Sequence, residues 1–198
     1  MQDEKPLTEQ ESLALITSMI NKAKNDYHDT GVSALLWGSS VTICGIVSFI
    51  GAVYNKPQLF YIWYLTAVAV VVQVFIAIRE SRRRKIKSYN DSGMNGIWIS
   101  YGISIFLFSY YSNYFNLPHE NVLFLIAYGI PTFATGISRS FKPMIIGGIA
   151  CWVLAIAAIY TKHEAYTLLY SVIAAQLAWF IPGVILRRKY LKAKRGNV

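Results

Sequence analysis

Residues 31–54 read GVSALLWGSSVTICGIVSFIGAVY, 24 residues without a Lys, Arg, Asp, Glu or His. At 1.5 Å per residue, a helix of that length is about 36 Å long and crosses a hydrocarbon core of ~30 Å. Gly31, Gly38, Gly45 and Ala52 recur within it every seven residues, one narrow stripe of small side chains. In lipid, helices associate by close backbone approach at such residues, because burial from water no longer drives them together. The stripe is therefore expected to face the interior of a bundle or a second copy of the chain.

Five more runs of the same kind follow, at 57–78, 95–115, 121–138, 143–160 and 165–186, none containing an ionisable Lys, Arg, Asp, Glu or His. Together the six account for 125 of 198 residues, too much apolar helix for the remaining chain to cover in water. The fold class read from this pattern is all-α: a polytopic membrane protein with six transmembrane helices. The first thirty residues hold six acidic residues against three lysines, so no basic region precedes the first run. That run is expected to be a retained signal anchor, not a cleaved signal peptide.

Basic residues orient the spans. If both termini face the cytoplasm, 17 of the 19 Lys and Arg lie inside, in 1–30, 79–94, 139–142 and 187–198; only Lys56 and Lys162 lie outside. This asymmetry follows the positive-inside rule. The short outer loops then join the spans as three hairpins. The formal charge of +9 belongs to these membrane-flanking clusters. It predicts attraction to anionic lipid headgroups, not to nucleic acid. The domain plan is a cytoplasmic segment 1–30, a transmembrane domain 31–186 and a basic tail 187–198.

The segment ahead of the first span has its own pattern. Thr8-Glu9-Gln10-Glu11 reads as a capping box, and Leu13, Ile16, Ile20, Ala23 and Tyr27 follow at 3-4-3-4 spacing. This predicts an amphipathic cytoplasmic helix. Leu13, Ile16 and Ile20 are its candidate contacts with a protein partner or the membrane surface. Arg82, Arg83, Arg84 and Lys85, in the basic loop, are the other candidate contacts. Tyr27-His28-Asp29-Thr30-Gly31 and Tyr89-Asn90-Asp91-Ser92-Gly93 repeat just before the first and third runs, as N-caps would; Ser140 is the corresponding expectation for the fifth. Ile130-Pro131 and Ile181-Pro182 predict kinks in the fourth and sixth spans.

Chemistry is sparse. An ionisable side chain inside a membrane is costly and usually functional, and these spans have none. The polar side chains at depth are Gln73 and Gln176, with Tyr101 and Ser104 on the polar third span; these four are the candidates for lining a small cavity. His119-Glu120 and His163-Glu164 are two outer-loop pairs, each with a glutamate at a helix start, where negative charge favours the helix dipole. Two pairs do not define a metal site, and no catalytic residue, metal or cofactor is predicted. Cys44 and Cys151 lie inside apolar runs and act as small hydrophobes. No phosphate-binding glycine loop or nucleophile elbow occurs, and His119-Glu120 lacks the second histidine of a zinc-protease helix.

Tyr27-His28-Asp29-Thr30-Gly31, Phe141-Lys142-Pro143-Met144-Ile145-Ile146-Gly147-Gly148 and Ala178-Trp179-Phe180-Ile181-Pro182-Gly183 resemble a family of uncharacterised six-helix bacterial inner-membrane proteins, along nearly the whole chain. The three-hairpin plan also looks like that of the acid-resistance membrane proteins, in architecture only. The first resemblance implies a bacterial inner membrane and, through genes for small winged-helix regulators beside such proteins, a link to signalling. The expected function is a non-enzymatic scaffold or sensor with a cytoplasmic protein partner, and self-association is a further expectation. The alternative is a small-solute carrier or channel.

Overall fold

The computed structural model describes residues 30–83, 89–115 and 119–196, with Thr8, Gln10, Ser12, Leu13 and Thr17 ahead of them; only backbone is described at 83, 89–92 and 196. Most of the amphipathic segment, including Ile16 and Ile20, lies outside the described residues, as do Arg84 and Lys85 and the Arg83 side chain. Ser12 N–H donates to the Thr8 carbonyl at 2.9 Å, one helical turn where the capping box was expected.

The described elements are all helical. In chain order they are α1 (Val32–Val53), a 3₁₀ segment (Pro57–Trp63), α2 (Tyr64–Arg83), α3 (Tyr89–Phe115), α4 (Glu120–Ser138), α5 (Lys142–Ile159), α6 (Glu164–Ala175), a π segment (Gln176–Phe180) and α7 (Ile181–Gly196). Five stretches are long and apolar enough to cross a membrane: Val32–Val53, Pro57–Arg82, Glu120–Ser138, Lys142–Ile159 and the rod Glu164–Arg195. α3 has 27 residues, but its tyrosines, serines and asparagines dilute its hydropathy, so it is not among the five.

Glycines determine how the helices approach. Along α1, a Cβ on Gly31 would lie 2.5 Å from the Gly183 carbonyl oxygen, one on Gly38 2.7 Å from the Phe180 nitrogen, and one on Gly45 2.6 Å from Val172 Cγ2. The seven-residue stripe therefore lies against the α6–α7 rod. Gly31 also has φ +70, a left-handed conformation that side chains resist, so it is fixed both by backbone and by space. Gly136 and Gly148 close the α4–α5 hairpin, 2.6 Å from Ile145 N and 2.7 Å from Phe133 Cβ by the same measure. Trp152 lays its indole into the notch at Gly129 and donates to the Ile126 carbonyl at 3.3 Å. On the other side of α5, a Cβ on Gly147 would lie 2.5 Å from the Leu177 carbonyl oxygen.

These approaches make a core of four rods: α1, α4, α5 and α6–α7. α2 leans on α1 and the 3₁₀ segment, and α3 lies alongside α4; among the described residues α2 and α3 do not meet each other. Gly93, Gly96 and Gly102 of α3 have nothing within 4 Å of a built Cβ. Both outer helices present Val, Ile and Phe outward, as at Val71, Phe75, Ile103 and Phe106. In water such faces would be an aggregation liability; against lipid tails they are the required surface.

Helix ends depart from the sequence reading in three places. Residues 57–63 form a 3₁₀ segment, so the second α-helix begins at Tyr64. The repeat at Tyr89–Gly93 is not a cap, because those residues already lie within α3. Ser140 does not cap α5. It takes φ 49 at the end of α4, where its N–H donates to Ile137 O at 3.0 Å and Phe141 N–H to Gly136 O at 2.8 Å. That pair of bonds is a Schellman motif, which satisfies the last carbonyls of α4, and Phe141 becomes the first flanking residue of α5. Asn55, φ 51, does the same after α1, with Lys56 N–H on Gly51 O at 2.7 Å. Pro143 sits in the first turn of α5 as expected.

The proline positions are handled by local adjustment. Pro182 has no N–H, and its ring would crowd the preceding turn. The π segment widens that turn, and Ile181 N–H reaches the Gln176 carbonyl. At Pro131 the flanking hydroxyls bond back along the helix: Thr132 Oγ1 donates to Tyr128 O at 2.7 Å and Thr135 Oγ1 to Pro131 O at 2.6 Å.

Candidate functional site

The two ends of the bundle differ in chemistry. At one end Thr30 Oγ1 donates to Glu80 Oε1 at 2.6 Å, tying the start of α1 to the end of α2. Lys189 Nζ lies 5.3 Å from the centre of the Phe141 ring, and the Arg187 guanidinium 5.5 Å from the Tyr190 ring. Arg139, Lys142, Arg188, Lys192, Lys194 and Arg195 belong to the same end, which is therefore strongly cationic. Arg82, one of the four basic contacts expected from sequence, is exposed near the end of α2; Leu13 is 64% exposed.

At the other end a cleft of about 170 Å³ opens between α1, the 3₁₀ segment, α4 and α6. Ala52, Phe60, Ala165 and Leu168 form its apolar wall, and His119, Glu120, Asn121, Glu164 and Thr167 its polar one. Each polar residue is held by a neighbour. Ser112, buried in α3, donates its hydroxyl to Glu120 Oε2. Asn121 Nδ2 donates to Thr167 Oγ1 at 2.8 Å, and Thr167 Oγ1 donates to the Glu164 carbonyl at 2.6 Å. His119, at φ 56 before α4, points its N–H at Glu164 Oε1, 3.4 Å away. Its ring Nδ1 is enclosed and has no partner. Glu120 and Glu164 stand in the first turns of α4 and α6, where the helix dipoles favour their negative charge. No group of three His, Cys, Asp or Glu side chains is placed to hold a metal among the described residues.

The two His-Glu pairs thus meet unequally: His119, Glu120 and Glu164 line the cleft, while His163 packs its ring edge-on to Tyr166 at 6.0 Å. Phe60, Asn121, Thr167 and Ser112 give no sign of this role in sequence, because they are assembled only by the packing of the 3₁₀ segment, α3, α4 and α6.

The four polar candidates at depth are distributed between separate settings. Gln73 Nε2 donates to Ser33 Oγ at 3.0 Å, joining α2 to α1. Gln176 Nε2 donates to Thr42 Oγ1 at 2.6 Å, joining the π segment to α1. Ser104 donates to the Ser100 carbonyl of its own helix at 2.8 Å. Tyr101 sits in a ring cluster, 5.6 Å from Trp98, 6.3 Å from Tyr128 and 6.4 Å from Trp179 between centroids. Trp179 and Tyr128 are 4.9 Å apart. Both indoles in the cluster are satisfied, Trp179 by Thr132 Oγ1 at 2.9 Å and Trp98 by Thr135 Oγ1 at 3.0 Å. Cys44 and Cys151 are buried free thiols, the former 3.4 Å from the Ile62 carbonyl.

These features define a multi-pass helical membrane protein with a cationic end and a small acidic cleft at the opposite end. No family model, curated protein or solved structure matches the chain.

Proposed function

We propose that the chain is a six-span scaffold or sensor of a bacterial inner membrane, without a catalytic centre of its own, acting in signalling through a cytoplasmic protein partner. The sixth span in this reading is α3. It runs beside α4 from the Trp98–Thr135 bond near one end to the Ser112–Glu120 bond near the other. At 27 residues it is roughly 40 Å long, sufficient to cross the ~30 Å core. With six spans both termini share a side, and the cationic end is the cytoplasmic one by the positive-inside rule. Anionic headgroups would collect there, around Arg139, Arg187, Arg188 and Lys189.

The observation that favours a scaffold or sensor over a carrier is the filling of the interior. Trp98, Tyr101, Tyr128 and Trp179 occupy the space between α3, α4 and the π segment. The hydroxyls beside them, on Thr132 and Thr135, are engaged by backbone carbonyls and indoles. A solute pathway needs polar groups that can exchange their partners for the solute, and these already have protein partners.

The test is site-specific photocrosslinking in cells from Leu13, Ile16 and Ile20, with identification of what is trapped. A single reproducible protein adduct, lost on deletion of 1–26 while membrane insertion persists, is the expected result. Adducts to lipid alone, together with solute uptake by reconstituted vesicles, would replace this reading with the carrier.

A further inference from the structure

The last rod is longer than the membrane is thick. Glu164–Arg195 has 32 residues and is about 48 Å long, against a hydrocarbon core of ~30 Å and ~40–45 Å with the headgroups included. Tilted by ~20°, it still spans about 45 Å. With Glu164 at one edge of the core, the other edge falls about 20 residues later, close to Gly183. The headgroup layer of ~5–8 Å takes up the next turn, so Lys192, Lys194 and Arg195 stand beyond it in water.

That extension has one distinctive face. Arg188, Lys192 and Arg195, at i, i+4 and i+7, lie on one side of α7, all three exposed, together with Leu191, which is 40% exposed. α7 contains no acidic residue, and Arg188, Lys192, Lys194 and Arg195 form no ion pair among the described residues. Glu80 is the one carboxylate side chain described at this end, and it accepts the Thr30 hydroxyl. Headgroups reach the first cations of the extension but not the last, and they offer nothing apolar to Leu191.

The chain carries its own counterpart. Six of its ten Asp and Glu lie in residues 1–30, as Asp3, Glu4, Glu9, Glu11, Asp26 and Asp29, for a net charge of −3, whereas 187–198 carry +6. The point where this segment joins the bundle is fixed, because a Cβ on Gly31 would lie 2.9 Å from the Arg187 nitrogen and 3.0 Å from Leu186 Cβ. The segment therefore starts at the foot of the basic extension. Asp29 and Asp26 come two and five residues before Gly31, and Glu11 twenty. Even at 1.5 Å per residue the chain from Gly31 to Glu11 reaches about 30 Å, more than the about 12 Å from Arg187 to Arg195. Exposed ion pairs are individually weak, but a tether of this length holds the two charges at a roughly millimolar effective concentration.

We infer that the acidic amino-terminal segment docks on the Arg188, Leu191, Lys192 and Arg195 face of α7 in the same chain, carboxylates against cations. This deepens the scaffold reading, on which it rests only for the role of the segment, by giving the partner-binding segment a seat on its own bundle. Leu13 is 64% exposed, so a seat made through carboxylates leaves it free for a partner.

The test uses the full chain in phosphatidylcholine vesicles treated with a carbodiimide, which joins a carboxylate to a lysine amine where the two touch. Peptide mass analysis should find Lys192 or Lys194 joined to an acidic residue of 1–29. In a mixture of light and heavy-isotope chains, the joined peptides should come from one chain. Arg188→Gln combined with Arg195→Gln keeps both reactive amines and should lower the yield by about fivefold or more. Salt at about 1 M, where the screening length is ~3 Å, should do the same. Both substituted positions are exposed, so the variant should keep the native melting temperature. Absence of these crosslinks, or an undiminished yield in the double variant, overturns the inference. Crosslinks only between light and heavy chains would assign the face to a second copy, and loss of the crosslink on adding phosphatidylglycerol would assign it to anionic lipid; either also overturns it. The assay needs no partner, so its failure is distinguishable from failure of the photocrosslinking test.

Discussion

A Cβ placed on Gly38 would meet the backbone of Phe180 at 2.7 Å, so α1 and the π segment touch through main chain. Neither side can yield by rotating a side chain. Gly38→Ala gains roughly 1 kcal/mol of helix propensity but incurs an overpacking penalty of about 1–3 kcal/mol. A net fall in melting temperature is expected, and Gly38→Leu should prevent assembly of the bundle. Gly102→Ala, where nothing lies within 4 Å, should leave the melting temperature unchanged or raise it. Thermal unfolding of the three variants in detergent checks the contrast.

Trp179 and Thr132 should be energetically coupled. Thr132→Val removes the acceptor of a buried indole N–H, a loss of about 1–3 kcal/mol, whereas Trp179→Phe removes donor and ring edge together. In a double-mutant cycle on unfolding free energy, the second substitution should have less effect in the background of the first. Additive values would mean that the 2.9 Å bond contributes nothing.

The Gln176–Thr42 bond is a smaller contributor. Hydrogen bonds between membrane helices average about 0.6 kcal/mol, reaching roughly 1.7. Gln176→Leu should therefore lower stability within that range. A loss of solute uptake with unaltered stability would instead mark Gln176 as part of a pathway.

Topology has a direct test. Cys44 and Cys151 are buried, so the native thiols should resist a membrane-impermeant maleimide in intact cells. Single cysteines at Lys56, His119 or His163 should react from outside, and one at Arg139 only after permeabilisation. Labelling of both sets in intact cells would contradict the proposed orientation.

The sequence foretells the α1 stripe well, because seven-residue spacing puts Gly31, Gly38 and Gly45 on one face whatever they pack against. It does not name the partner helix. The stripe's middle contact, Gly38 on Phe180, falls on the widened turn at Gln176–Phe180, an adjustment to Pro182 with no periodic signature. The helical state of residues 89–93 is hidden in sequence because Asp, Ser and Gly favour caps as single residues, and context overrides that preference. Ser140 was misassigned for a related reason: a residue between two helices can finish one or begin the other, and φ 49 decides it. The cleft was legible only as two His-Glu pairs. Two of its hydrogen bonds join partners 45 and 46 residues apart, and one of the two histidines does not line it.

The seam between α1 and the α6–α7 rod bridges 134 residues of chain, from Thr42 to Gln176. Of the described helices, the first to leave the ribosome is thus matched to the last. Until the α6–α7 rod is inserted, the notches at Gly31, Gly38 and Gly45 are open to lipid, for among the described residues the atoms that fill them all belong to that rod. A product truncated before residue 164 would keep the α4–α5 hairpin but never close the bundle. An α1 deprived of that rod would leave three main-chain notches facing lipid on one side of the bundle.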